Sequence, residues 1–138
     1  ISETVGATKV EVSNVQFDSR KVEKDDIFVA VNGVTVDGHQ YIEKAISLGA
    51  KVIVCEILPE NLVDGITYVK VENSTIALGV LASNFYGNPS ENINLIGITG
   101  TNGKTSASTL LFELFTHLGF KVALISTVEN RIGDLVIQ

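Results

Sequence analysis

The residues of this chain best suited to chemistry are Gly100-Thr101-Asn102-Gly103-Lys104-Thr105, followed by Ser106. In a glycine-rich turn that opens a helix, successive backbone N–H groups can point at one anion. The unpaired N–H groups of the first helical turn add further donors. Gly100 and Gly103 permit close approach of backbone to phosphate. Lys104 can set an ammonium beside the β- and γ-phosphates of a nucleotide, and the Thr105 hydroxyl can ligate Mg2+. The strict spacing G-x-x-x-x-G-K-[ST] is not met, because Ile98 stands at the first glycine position and Gly97 is displaced by one. A helix start that merely carries Gly, Asn and Lys is the plainer reading. Context favours the phosphate loop, since a strand pattern precedes it and a helix pattern follows.

The elements that must hold this loop are legible on both sides. Residues 93–98 read as an apolar strand, residues 104–118 as a helix with Leu110, Leu111, Leu114, Phe115 and Leu118 on one face, and residues 122–125 as a buried strand. Strand, loop, helix and strand in that order make the unit of a parallel sheet. Upstream, Gly87-Asn88-Pro89-Ser90 joins a helix stop to a proline and places a domain junction there, between residues 1–88 and 89–138. Within the first part, strands are expected at residues 10–17, 27–31, 51–55 and 66–71. Helices are expected at residues 41–48, capped by Gly49, and from an N-cap at Ser74 to about Gly87. The class is therefore α/β: a domain with a mixed sheet, then the start of a parallel-sheet, phosphate-loop domain.

Ten Lys and Arg against sixteen Asp and Glu leave a net charge of −6 in 138 residues, which argues against nucleic acid as a partner. Any phosphate must be met by local donors. The single cysteine, Cys55, sits in an apolar strand pattern and excludes an internal disulfide, which fits a reducing, cytoplasmic compartment. No basic, apolar leader pattern opens the chain and no apolar run reaches membrane-spanning length, so no membrane insertion is expected. Ile1 is not an initiator methionine, and further residues are expected before it.

The segment Gly97-Ile98-Thr99-Gly100-Thr101-Asn102-Gly103-Lys104-Thr105 resembles the ATP loop of the Mur ligase family, in which the position of Ile98 is commonly aliphatic. A second match lies in the amino half: Phe17-Asp18-Ser19-Arg20, Asp26-Ile27-Phe28-Val29-Ala30, Gly33, Asp37-Gly38-His39, Tyr41-Ile42, Ala45 and Gly49-Ala50. The resemblance covers nearly the whole chain. Thr105-Ser106-Ala107 after the lysine, and Ser126-Thr127-Val128-Glu129-Asn130, are similar to the MurE type of the family rather than the MurF type, which adds D-alanyl-D-alanine. The resemblance implies an ATP- and Mg2+-dependent ligase that joins a diamino acid to UDP-N-acetylmuramoyl-L-alanyl-D-glutamate through an acyl phosphate, acting as a monomer. Lys104 would be its catalytic group toward phosphate, and residues 100–106 its ATP site. Ser19 and the segment Val34, Thr35 and Val36 would meet the UDP-muramoyl peptide, the latter through backbone.

Each assignment has a plainer counterpart. Ser19 could be a turn serine. Asp18 and Arg20 are expected to organise that turn, and Asp37-Gly38 to form another. Glu129 and Asn130 face substrate or belong to an ordinary polar loop. His39 and His117 have no second metal ligand at useful spacing. A non-catalytic nucleotide-binding module is the competing class of function. The chain alone is expected to catalyse nothing, since residues 89–138 supply too little of a parallel-sheet domain.

Overall fold

Strands that are apolar on both faces belong in a parallel sheet covered on two sides, and Ile27, Phe28, Val29, Val52, Ile53, Val54 and Cys55 are all buried. The computed structural model, which describes residues 1–137, divides the chain into a unit Ile1–Ile93 and a second unit beginning at Asn94. The division falls beyond Ser90, after a short 3-10 turn Pro89–Asn92.

In the first unit, β1 (Glu3–Val5), β2 (Val15–Gln16), β3 (Ile27–Val29), β4 (Val52–Cys55) and β5 (Thr67–Lys70) form one sheet in the order β1-β5-β4-β3-β2. Strands β2 to β5 are parallel and β1 runs antiparallel to β5, so the sheet is mixed. On one face Phe28, Ile53, Cys55 and Tyr68 pack with Ile42 and Ala45 of α1 (Ile42–Leu48). On the other, Ile27, Val29, Val52 and Val54 pack with Ala77, Leu78 and Leu81 of α2 (Ser74–Phe85). Gly49 closes α1 at φ 111°, and a Cβ there would lie 2.9 Å from the Lys24 Cα, so no other residue fits.

Two local expectations are corrected, and one strand is added. The strand at residues 10–17 shrinks to β2, because β3 offers it only a short edge; Val10 and Val12 still pack against the sheet from the preceding segment. The cap of α2 is Asn73, whose side chain accepts from Ile76 N at 2.8 Å, while Ser74 is fully buried inside the first turn. Strand β1 was not foreseen, since Glu3-Thr4-Val5 carries too little apolar pattern to announce itself.

The second unit holds α3 (Lys104–His117), β6 (Ala123–Ile125), β7 (Asn130–Ile132) and β8 (Leu135–Ile137). Its strands form an antiparallel meander, β6-β7-β8. The strand expected at residues 93–98 is not formed, and among the described residues nothing pairs with it; Ile93, Leu95 and Ile96 are exposed. A parallel strand lasts only with neighbours to complete its ladder, whereas two short turns let β7 and β8 fold back onto β6 at little loop-closure cost. The apolar stripe expected on α3 is not the part of the helix that is buried. Phe112 is buried, while Leu110, Leu114 and Leu118 remain exposed.

Candidate functional site

The loop 100–103 runs into α3 with positive φ at both glycines, 153° at Gly100 and 78° at Gly103. A Cβ on Gly103 would meet nothing within 4 Å, so its glycine answers the backbone angle rather than crowding. The N–H groups of Thr101, Asn102, Gly103, Lys104, Thr105 and Ser106 have no hydrogen-bond partner among the described residues. The first backbone bond of the helix is donated by Ala107, to Gly103 O at 2.9 Å. The Lys104 ammonium donates to Gly100 O and, at 3.2 Å, to Thr101 O, so it lies across the loop's own carbonyls, with no carboxylate partner among the described residues. Unpaired donors and an unneutralised cation share one helix start. That set fits a phosphate chain, and the Thr105 hydroxyl fits a magnesium ion carried with it.

The amino-half candidates sit on a different frame. Ser19 begins the 3-10 turn Ser19–Lys21 that follows β2. Asp18 Oδ1 accepts from Arg20 N at 3.0 Å, and the Arg20 guanidinium closes on both carboxylate oxygens at 2.9 and 2.8 Å. That guanidinium holds the Asp18 carboxyl far below the usual carboxylate range. Asp18 and Arg20 therefore shape the turn. The Ser19 hydroxyl makes no hydrogen bond among the described residues; the residue is 7 % exposed, and the hydroxyl is not among the side-chain groups sealed from solvent without a partner. Val34, Thr35 and Val36 form the tip of a small hairpin after β3, with Asn32 bridged to Asp37 and Gly33 N donating to Val36 O at 3.1 Å. All three tip residues are exposed, Val34 completely.

Because β2 and β3 are adjacent and parallel, Ser19 and the hairpin both leave the carboxyl edge of the sheet. Ligands of open α/β sheets bind outside that edge. The sequence brought Ser19 and residues 34–36 forward, gave Glu56 no role and gave Ser74 only that of a helix cap. Ser74 N and its hydroxyl both donate to the Glu56 carboxylate at 2.8 and 2.7 Å, and Glu56 N donates to His39 Nε2. Contacts between residues so far apart in sequence carry no local signal.

The segment 126–130 is the turn between β6 and β7. Ser126 Oγ donates to Glu129 O at 2.8 Å and accepts from Glu129 N, Asn130 Oδ1 accepts from Ser126 N, and Glu129 pairs with Arg131 at 3.6 Å. These polar groups serve the turn, leaving Thr127 and Val128 exposed. Among the described residues no three His, Cys, Asp or Glu side chains cluster as a metal site, and no helix is long and apolar enough to cross a membrane. Burial pushes the Cys55 thiol up to about 11, which leaves it unreactive.

Residues 11–86 match the family model described as "Mur ligase family, catalytic domain", which accounts for more than half of the chain. The chain belongs to the Mur ligase family. The match lies within the first unit and ends before the glycine loop. Among curated members, a UDP-N-acetylmuramoyl-L-alanyl-D-glutamate--2,6-diaminopimelate ligase of Phocaeicola vulgatus is 48 % identical over 97 % of this chain and 28 % of the relative. A ligase of the same name from Cytophaga hutchinsonii is 52 % identical over 96 % of this chain and 28 % of its own length. The chain thus spans little more than a quarter of these Mur ligases. A solved structure of such a diaminopimelate ligase matches with a TM-score of 0.71 at 26 % identity, covering 91 % of this chain and 26 % of that one. The MurF ligase of Thermotoga maritima, solved in complex with ADP, matches with a TM-score of 0.55 at 33 % identity over 75 % of this chain and 23 % of its own.

Proposed function

We propose that this chain works within a longer, ATP-dependent ligase of peptidoglycan precursor synthesis, joining 2,6-diaminopimelate to UDP-N-acetylmuramoyl-L-alanyl-D-glutamate in the cytoplasm. The observation that carries the reading is the loop 100–103, whose unpaired N–H groups and Lys104 ammonium converge at the start of α3. At neutral pH a carboxylate and an amine form a salt, not an amide. Transfer of the ATP γ-phosphoryl to the terminal carboxylate gives an acyl phosphate, and attack by the amine then releases phosphate. The residues of this chain would cover the charge of the transferring group: backbone donors would hold its oxygens, the Lys104 ammonium would turn from the loop carbonyls to phosphate, and Thr105 Oγ1 would help hold Mg2+. Ser19 and the hairpin tip 34–36 are read as the seat of the UDP sugar. The names of the curated relatives support this substrate over the D-alanyl-D-alanine of the MurF type.

The test is phosphate release by the longer enzyme. Release should require ATP, the UDP-muramoyl dipeptide and diaminopimelate together. Equal release without the diamino acid, or nucleotide binding with no turnover, would favour a non-catalytic nucleotide module instead.

A further inference from the structure

The hairpin tip carries two exposed valines, Val34 and Val36, and among the described residues it packs on no core, so apart from the bond from Gly33 N to Val36 O nothing at the tip itself fixes its position. Its base is fixed in two ways. Gly38 N donates to Val31 O at 2.8 Å, and a Cβ on Gly38 would lie 2.7 Å from Val31 N, so the two legs touch backbone to backbone. The second way is a closed circuit of hydrogen bonds. Asp37 Oδ1 accepts from His39 N at 2.9 Å and lies 2.6 Å from His39 Nδ1. On the other side of the ring, Nε2 accepts from Glu56 N at 2.9 Å and Ile57 N at 3.3 Å, which places the imidazole proton on Nδ1. The Glu56 carboxylate then accepts from Ser74, and the Ser74 hydroxyl accepts from Asn32 N at 3.1 Å. Asn32 is bridged back to Asp37. The circuit joins both legs of the hairpin to the end of β4 and the first turn of α2, and Ser74 at its centre is fully buried.

We propose that His39 is a positioning residue: through this circuit it fixes the hairpin tip 34–36 at the carboxyl edge of the sheet for a uridine diphosphate sugar. The inference rests on the reading of that edge given above. It assigns His39 a role other than metal binding or turn filling, and it makes Glu56 and Ser74 its partners. Glutamine at position 39 can keep both ends of the connection, an amide N–H toward Asp37 and a carbonyl toward Glu56 N. Alanine keeps neither.

The experiment is steady-state kinetics of the full-length ligase with UDP-N-acetylmuramoyl-L-alanyl-D-glutamate varied at saturating ATP, and ATP varied at saturating nucleotide sugar. His39→Ala should raise KM for the nucleotide sugar about fivefold to tenfold, as loss of one partly buried hydrogen-bonded link does, with KM for ATP and kcat within about twofold. His39→Gln should restore most of the loss, and Ser74→Ala, which opens the circuit elsewhere, should raise the same KM by a smaller factor. If His39→Ala does not fold, the other two variants carry the test. A lowered Tm with an unchanged nucleotide-sugar KM, a parallel rise in both KM values, or no rescue by His39→Gln would overturn the proposal. Failure of the unaltered enzyme to use the nucleotide sugar would instead remove the proposed function, and this inference with it.

Discussion

The two units hold their candidate ligand-binding segments in opposite ways. In the first, the hairpin tip and Ser19 leave a sheet sealed on both faces, and side chains from distant elements lock the base of the hairpin. In the second, among the described residues no distant side chain holds the loop 100–103: its N–H donors are unpaired, the only side chain bonded to its carbonyls is Lys104 of the adjoining helix, and Leu110, Leu114 and Leu118 face solvent. A segment that meets a neutral base and sugar gains from being fixed beforehand, since ordering it on binding would cost affinity. A loop that meets a triphosphate can leave its donors open, because the anion itself satisfies them.

This contrast can be broken at its strongest point by truncating one apolar residue in each unit of the purified chain. Phe28→Ala should cost about 3–5 kcal/mol in chemical denaturation of the first unit, since Phe28 is fully buried between the sheet and α1. Leu114→Ala, at an exposed helical position, should stay within about 0.5 kcal/mol. Equal losses would erase the difference between the units. Gly38→Ala should cost about 1–3 kcal/mol by forcing backbone apart, and the exchange of the Gly33 amide should quicken with it. A neutral result there would mean that the hairpin base is not tightly set.

Ser19→Ala should weaken binding of the UDP-muramoyl dipeptide by about 1 kcal/mol with ATP affinity unchanged, as loss of one neutral hydrogen bond predicts. Calorimetry on the longer enzyme reads both, and an unchanged nucleotide-sugar affinity returns Ser19 to the turn. The smallest effect concerns acid. Hydrogen bonds from Ser74 N and the Ser74 hydroxyl hold the Glu56 carboxyl below its ordinary value of 4.5. Its contribution to stability is therefore present above that value and is lost as pH falls through the lowered one. Glu56→Gln should flatten that acid limb of the stability curve; an unaltered limb would show that the carboxylate adds nothing there.

Much of the first unit was legible because its signals are local. The apolar runs around Phe28 and Ile53 name buried strands, and Gly49 marks the end of α1. Ser19, Gly100 and Lys104 stood out through short motifs. What sequence could not give depends on partners far along the chain. Glu56 and Ser74 look like surface residues until β4 and α2 bring them together, and residues 93–98 read as a strand although pairing, not pattern, decides whether a strand exists. The stripe on α3 misled for the same reason. Leu110, Leu114 and Leu118 share a face, but Phe112 is the residue that is buried.

The assignment of the loop to phosphate depends most directly on Lys104. In the full-length ligase, phosphate release should fall about 10²–10³-fold in Lys104→Ala, the loss expected for one electrostatic donor to a developing charge. The fold should be intact, because the ammonium touches only loop carbonyls. Near-normal turnover in that variant would contradict the assignment of the loop to phosphate.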